Sequence, residues 1–210
     1  MALLQKDVEA FSIDIYRIRK TVIEMLADRG YDVGDMLEED FDTFKMSNSI
    51  PLQDKQLDAF TINCTHNVNR DERVQARFDR LYISSRGIKE IVLKLESEKI
   101  NHCIFVAEEV RLSAKNLEII SKLSKKIEFF TQQEMLINIT HHNLVPKHEP
   151  LSQEEKEELL RCYHINENQL PMISKDDAIC KYFGVERGTV MRITRRSNTS
   201  GRYVTYRLVI

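Results

Sequence analysis

Three groups of residues in this 210-residue sequence are of types that could do chemistry. The first is histidine. His141 and His142 are adjacent, His148 and His164 follow, and imidazoles are common metal ligands. Neighbouring residues on an extended strand point to opposite faces, so the pair cannot share one ion there without distortion. No third ligand stands at helical spacing to either, so no metal is expected. The second group is acidic. Asp79 with Glu96-Ser-Glu98-Lys99 has the residue types of Mg²⁺-dependent nucleases, which set an acidic residue and an E-x-K on adjacent strands. Here Asp79 falls in a strand pattern and 96–99 at the end of a helical one, so the groups are not expected to converge, and a solvated helix end is the plainer reading.

The third group is arginine. The last 26 residues contain six Arg against one Glu. Arg192, Arg207, Thr194 and Thr205 are expected to lie near one another across two strands, with Arg195, Arg196 and Arg202 flanking the turn. Guanidinium groups bind phosphate or an acidic protein surface through bidentate hydrogen bonds, although a solvated outer face has the same composition. No Gly-rich phosphate loop, no G-x-S-x-G elbow and no Cys/His pair of catalytic spacing is present, so no active site and no cofactor are expected.

These groups sit in a chain of ordinary globular composition, 42% hydrophobic and 30% charged. A net charge of −2 provides no global field toward nucleic acid, so any DNA contact must be local or arranged by partners. Cysteines at 64, 103, 162 and 180 lack CxxC spacing and are expected to be free thiols in a reducing compartment. No run approaches the roughly 20 apolar residues of a membrane span, and the first 30 residues lack an apolar signal core; an intracellular soluble protein is expected.

Periodicity places the elements. Phe11, Ile15, Ile18, Val22 and Met25 make one helical stripe over 6–29, with Gly30 after it. A short acidic helix is expected over 37–46, with Phe41 and Phe44 on one side. Residues 57–64 and 74–84 alternate as strands, the second with a phase slip near Arg80 that suggests a bulge. A helix is expected over 87–99, a strand covered on both faces over 103–106, and a helix capped by Ser113 with Leu117, Ile120 and Leu123 on its stripe. Further apolar runs occupy 127–130 and 135–139. Such alternation argues for an α/β layer with crossover connections through residue 140.

Pro146 interrupts a segment without strong period at 141–148, and the style then changes. Ser152-Gln-Glu-Glu155 is a capping box opening a helix with Leu159, Leu160 and Tyr163 on its apolar side. Ser174-Lys-Asp-Asp177 has the same form, ahead of Ala178, Ile179, Tyr182 and Phe183, and Gly184 closes that helix. Residues 189–194 and 203–209 alternate as strands around a turn at 197–201, a β-hairpin. Two domains are therefore expected, 1–140 of α/β type and 141–210 of small α+β type. Residues 144–210 carry 11 Lys/Arg and 9 Asp/Glu, net +2, which leaves −4 on 1–143.

The second of these resembles a known family. The stretches Ile139-Thr-His-His-Asn-Leu-Val-Pro-Lys-His148, Glu154-Glu-Lys-Glu-Glu-Leu-Leu160, Gln169-Leu-Pro171, Lys181-Tyr-Phe-Gly184, Arg187-Gly188 and Gly201-Arg-Tyr-Val-Thr-Tyr-Arg-Leu-Val209 are similar, in order, to the C-terminal assembly domain of the fifth-largest subunit shared by eukaryotic RNA polymerases I, II and III, which has a small archaeal counterpart. More loosely, Tyr16-Arg-Ile-Arg-Lys-Thr-Val22, Asp28-Arg-Gly-Tyr31, Gly87-Ile-Lys89 and Phe130-Thr-Gln-Gln-Glu-Met-Leu-Ile-Asn-Ile-Thr140 resemble landmarks of its jaw domain. The chain departs from the family pattern at Asp177-Ala178, at Arg195-Arg-Ser197, and at Arg111-Leu-Ser-Ala114, where Thr-Pro-Ser-Ala is usual.

The resemblance implies a non-catalytic polymerase subunit. Its jaw would be a sheet flanked by helices, nuclease-like but without an active site. It would dock on the largest subunit through the C-terminal domain, with an interface comprising His148, Leu170, Pro171, Arg192, Arg195, Arg202, Tyr203 and Arg207. The loop carrying Arg111, Ser113 and Lys115 would lie near downstream double-stranded DNA. It implies a nuclear protein, and the departures from the pattern suggest a divergent eukaryote or a large DNA virus, in the latter case with the protein in virions or infected-cell cytoplasm. A free-standing DNA-binding protein and a metal-dependent nuclease of the same layer are the rivals, and the net −2 charge argues against the first.

Overall fold

The computed structural model describes residues 2–49, 52, 56–79, 100–110, 118, 120, 125–197, 199 and 201–210. Expectations for the helix at 87–99 and its Glu96-Ser-Glu98-Lys99 end, for the bulge near Arg80, and for the Ser113 cap lie outside these residues. The chain divides into two compact units, Met1–Ile137 and Asn138–Ile210, three residues ahead of the expected boundary. Asn138 belongs with the second unit for a physical reason. It is buried there, its side-chain amide donates to the Tyr182 hydroxyl (3.2 Å), and its Oδ1 accepts the Thr140 N–H (2.9 Å).

The first unit opens with α1 (Ala2–Asp28), whose stripe is buried at Ile15, Ile18, Val22 and Met25. Gly30 follows at φ +87, a conformation L residues rarely adopt, and a Cβ there would stand 3.3 Å from the His66 ring. After β1 (Tyr31–Asp32) the expected helix at 37–46 is broken in two: a 3₁₀ turn at Gly34–Leu37, then α2 (Phe41–Ser47). Asp40, extended at ψ 158, separates them. Phe44 is buried against Tyr16 and Phe60, with ring centroids at 5.5 and 5.6 Å.

The expected strand at 57–64 is also shorter. Leu57–Phe60 is a 3₁₀ turn and β2 covers Ile62–His66, because Leu57 and Phe60, three apart, both turn inward, which a strand of period two cannot arrange. With β3 (Arg73–Asp79), β4 (His102–Ala107) and β5 (Lys126–Thr131) it completes a sheet of order β1-β2-β3-β4-β5. The first three strands are antiparallel and the last three parallel. All six residues of β4 are buried, as the unbroken apolar run predicts for a strand covered on both faces. Thr131 then caps α3 (Gln132–Met135) with a capping box to Glu134.

In the second unit β6 (Lys147–Pro150), α4 (Gln153–Tyr163), β7 (Met172–Ile173), α5 (Ala178–Phe183), β8 (Val190–Ser197) and β9 (Gly201–Val209) follow in order. The sheet order is β6-β8-β9-β7. Ser152 and Glu155 form the expected capping box on α4. Asp177, not Ser174, caps α5: its Oδ1 accepts the Ile179 N–H at 3.0 Å, while the Ser174 hydroxyl serves the Asp176 N–H in the turn before. His164 stands at φ 51 as the left-handed cap of α4, its N–H on the Leu160 and Arg161 carbonyls. Tyr163, expected on the apolar side, is 63% exposed.

Candidate docking surface

The hairpin register decides which side chains share a face. Val190 pairs with Leu208, Arg192 with Tyr206, Ile193 with Thr205 and Arg195 with Tyr203, so even positions face one way and odd positions the other. The even face buries Val190 and Leu208 against Leu159 and Leu170 beside α4. The odd face buries Met191 and Val209 against Ile179 and Cys180 of α5. Arg192 and Arg207 therefore lie on opposite faces. The expected cluster of both with Thr194 and Thr205 does not form; it splits into Arg192 with Thr194 and Arg207 with Thr205.

Each half has its own chemistry. On the even side Arg192 donates to Glu149 at 3.2 Å, and Lys147 reaches the other Glu149 oxygen at 2.6 Å. Those two cations hold the Glu149 carboxyl below its ordinary range. On the odd side His148 pairs with Ile193 and donates from Nδ1 to the Pro146 carbonyl (2.7 Å). Burial, reinforced by the Arg195 and Arg207 charges, holds the His148 imidazole below 6.5, against the Pro146 hydrogen bond and Asp177. His148 is thus a half-buried ring on the same face as Arg195 and Arg207.

Beyond the two core clusters the hairpin runs out into solvent, with Arg195, Arg196, Arg202 and Tyr203 exposed. A groove of about 740 Å³ opens there between residues 143–147 and the strands. Lys147, Arg195, Arg196 and Arg202 line it; among the described residues no carboxylate does, and Lys147 is held by Glu149 just outside it. The Thr194 hydroxyl on its wall is buried without a hydrogen-bond partner among the described residues. Leu144 on the rim is 85% exposed. Sequence reasoning missed Leu144, Lys147 and Thr194 as liners, since nothing local in 143–147 marks it as the groove's second wall.

Of the expected interface residues, Leu170 takes another place. It is 7% exposed and belongs to the core with Leu159, Val190 and Leu208, because the 3₁₀ turn at Glu167–Gln169 directs it inward. Pro171 is exposed, and its carbonyl accepts the Leu208 N–H at 2.8 Å. Leu170→Ala is expected to lower stability by about 3 kcal/mol through the cavity it leaves, read as a shifted urea midpoint of the second unit. Arg111, Ser113 and Lys115 lie outside the described residues.

In the first unit the sequence gives no hint of a buried polar chain. Arg29 binds Glu128 through two hydrogen bonds (3.1 and 2.8 Å), His102 Nε2 reaches the same carboxylate at 2.9 Å, and His102 Nδ1 meets the Tyr31 hydroxyl at 3.1 Å. Burial pushes the Glu128 carboxyl up, but the His102 hydrogen bond and the Arg29 charge outweigh it and hold the group well below the usual carboxylate range. Burial and Glu72 push the Tyr31 phenol up from its ordinary 10. The chain ties β1, β4 and β5 to the end of α1. Asp79 ends β3 opposite Ala107, and among the described residues no three His, Cys, Asp or Glu side chains converge as metal ligands. Cys64, Cys103 and Cys180 are buried, and burial pushes the Cys64 and Cys180 thiols up to about 11.

Comparison with known proteins covers both units. The RNA polymerase Rpb5 N-terminal domain model matches residues 11–94 and the RNA polymerase Rpb5 C-terminal domain model matches residues 137–209. The chain is 37% identical over 211 aligned residues to DNA-directed RNA polymerases I, II, and III subunit RPABC1 of Caenorhabditis elegans, covering 97% of this chain and 99% of that one. It is 35% identical over 200 residues to the Dictyostelium discoideum subunit rpabc1, covering 93% and 97%. Over 197 residues it is 32% identical to DNA-directed RNA polymerases IV and V subunit 5B of Arabidopsis thaliana, covering 92% and 88%. These relatives are cellular eukaryotic proteins and lend the viral alternative no support.

Proposed function

The chain belongs to the RNA polymerase Rpb5 family of DNA-directed RNA polymerase subunits, and from that premise we propose that it is a non-catalytic structural subunit anchored to the largest polymerase subunit by its second unit. The observation that carries the anchoring is the groove at the hairpin end, where exposed Arg195, Arg196 and Arg202 gather with Leu144 exposed beside them. Exposed Arg with an apolar neighbour is what a tight protein interface uses. The docking residues are His148, Pro171, Arg195, Arg202, Tyr203 and Arg207, joined by Leu144 and Arg196. Arg192 serves indirectly, held by Glu149.

The first unit is proposed as part of the jaw beside the downstream duplex. Arg111, Ser113 and Lys115 would meet backbone phosphates there, a contact that carries no base sequence and weakens with salt. Nucleotide addition would take place on the large subunits, and the protein would work in the nucleus, as its eukaryotic relatives' names suggest.

Purifying a tagged full-length copy tests the proposal. One copy per polymerase is expected, retained with the largest subunit after a wash that removes DNA. Recovery of the chain alone, or with DNA but no polymerase subunit, would overturn it.

A further inference from the structure

We infer that the outer edge of β9 takes up an extended, acidic segment of another polypeptide as an added strand. This rests on the docking role given to the second unit and names the backbone chemistry of that surface.

The direction of each peptide group along β9 follows from its bonds. Val209 donates to the Thr189 carbonyl at 2.9 Å and accepts from Gly188 at 2.9 Å, so it turns toward β8. Leu208 donates to Pro171 at 2.8 Å and Ile210 to Ile173 at 3.0 Å, so both turn the other way. Alternate residues of a strand address opposite edges, which directs the N–H and C=O groups of Val204 and Tyr206 outward. β7 pairs with β9 at Leu208 and Val209 only. Among the described residues no backbone hydrogen bond reaches the outward groups of Val204 and Tyr206.

Solvent-facing edges are usually blunted by Lys, Pro, a bulge or a covering loop. Residues 201–207 hold the charged Arg202 and Arg207 but neither Lys nor Pro, and they pair with β8 without a bulge. Instead Tyr203 and Val204 are 56% and 37% exposed, one on each face of this edge. An edge that offers both open peptide groups and apolar side chains fits strand addition, where the backbone gives affinity and alternate pockets give specificity.

Charge selects the occupant. Arg195 and Arg207 lie on the odd face and Arg196 and Arg202 on the even one, so an added strand would have guanidinium groups above and below it. A second copy of this hairpin would set Arg against Arg. A segment carrying Asp or Glu, with an apolar residue for Val204 and Tyr206, meets complementary groups on both faces.

Residue-resolved amide hydrogen exchange tests the idea on the full chain, free and assembled into polymerase. The Val204 and Tyr206 amides should exchange at least about tenfold more slowly in the assembly, while Thr205, already bonded to β8, changes less. Val204→Pro removes only an outward N–H and should cut assembly at least about tenfold, whereas Val204→Thr retains it. Should Val204→Pro fail to fold, the exchange of the wild-type chain still decides. Unprotected Val204 and Tyr206 in an assembled polymerase, or a folded Val204→Pro chain assembling normally, would refute strand addition while leaving the docking role intact. Protection that appears in the free chain as its concentration rises would mean self-pairing and overturn the acidic occupant. A chain that never assembles with polymerase would overturn the docking role itself.

Discussion

Arg29→Met is expected to lower the stability of the first unit by about 3 kcal/mol, the typical cost of removing one partner from a buried ion pair. The Arg29 and Glu128 side chains are 5% and 15% exposed, so the substitution strands a carboxylate that water reaches poorly. His102 at 2.9 Å and Lys126 at 3.3 Å remain beside it and soften the loss without replacing the two-pronged guanidinium. A urea titration should show the lower midpoint, and Arg29→Met with Glu128→Leu should recover part of it, because most of the cost lies in the stranded charge. An unchanged midpoint in the single variant would mean that the carboxylate is solvated.

The same carboxylate sets a pH dependence. Its folded pKa lies below the unfolded value near 4.5, so its contribution is fully present above pH 4.5 and disappears as pH falls through the folded value. Wild-type stability should therefore decline on acidification below about pH 4.5, and Glu128→Gln should flatten that limb.

The largest expected effect on assembly comes from Arg195→Glu with Arg196→Glu. Both residues are exposed and, among the described residues, neither makes an ion pair, so folding should be unaffected and the melting temperature unchanged within a few degrees. Against an acidic partner each reversal replaces attraction by repulsion, and together they should cost roughly 3 kcal/mol, about a hundredfold in association. A salt titration separates this from misfolding: repulsion between exposed charges weakens at high ionic strength, whereas a folding defect persists. Retained wild-type association would remove the groove from the docking surface.

Local grammar carried much of the fold. The α4 capping box, the α1 stripe and the fully buried β4 were legible because each is written within a few consecutive residues. Errors arose where two local signals competed. Residues 57–60 alternate on paper, yet Leu57 and Phe60 both turn inward and tighten the backbone to 3₁₀. Ser174 and Asp177 both resemble caps, and the one directly before the helix supplies the acceptor. The hairpin was legible but the sharing of its faces was not: Arg192 pairs with Tyr206, and a one-residue change of register would have put it opposite Arg207. Leu170 read as an exposed anchor because a Leu-Pro pair says nothing about which way the preceding turn aims it. The Arg29–Glu128 pair spans 99 residues, a separation at which no sequence period operates.

The central claim, that the second unit anchors this chain to the largest polymerase subunit, is tested most directly by lysine cross-linking of the assembled polymerase read by mass spectrometry. Cross-links from Lys147, Lys175 and Lys181 to the largest subunit are the predicted result. Cross-links to that subunit from lysines of the first unit alone, with none from Lys147, Lys175 or Lys181, would contradict it.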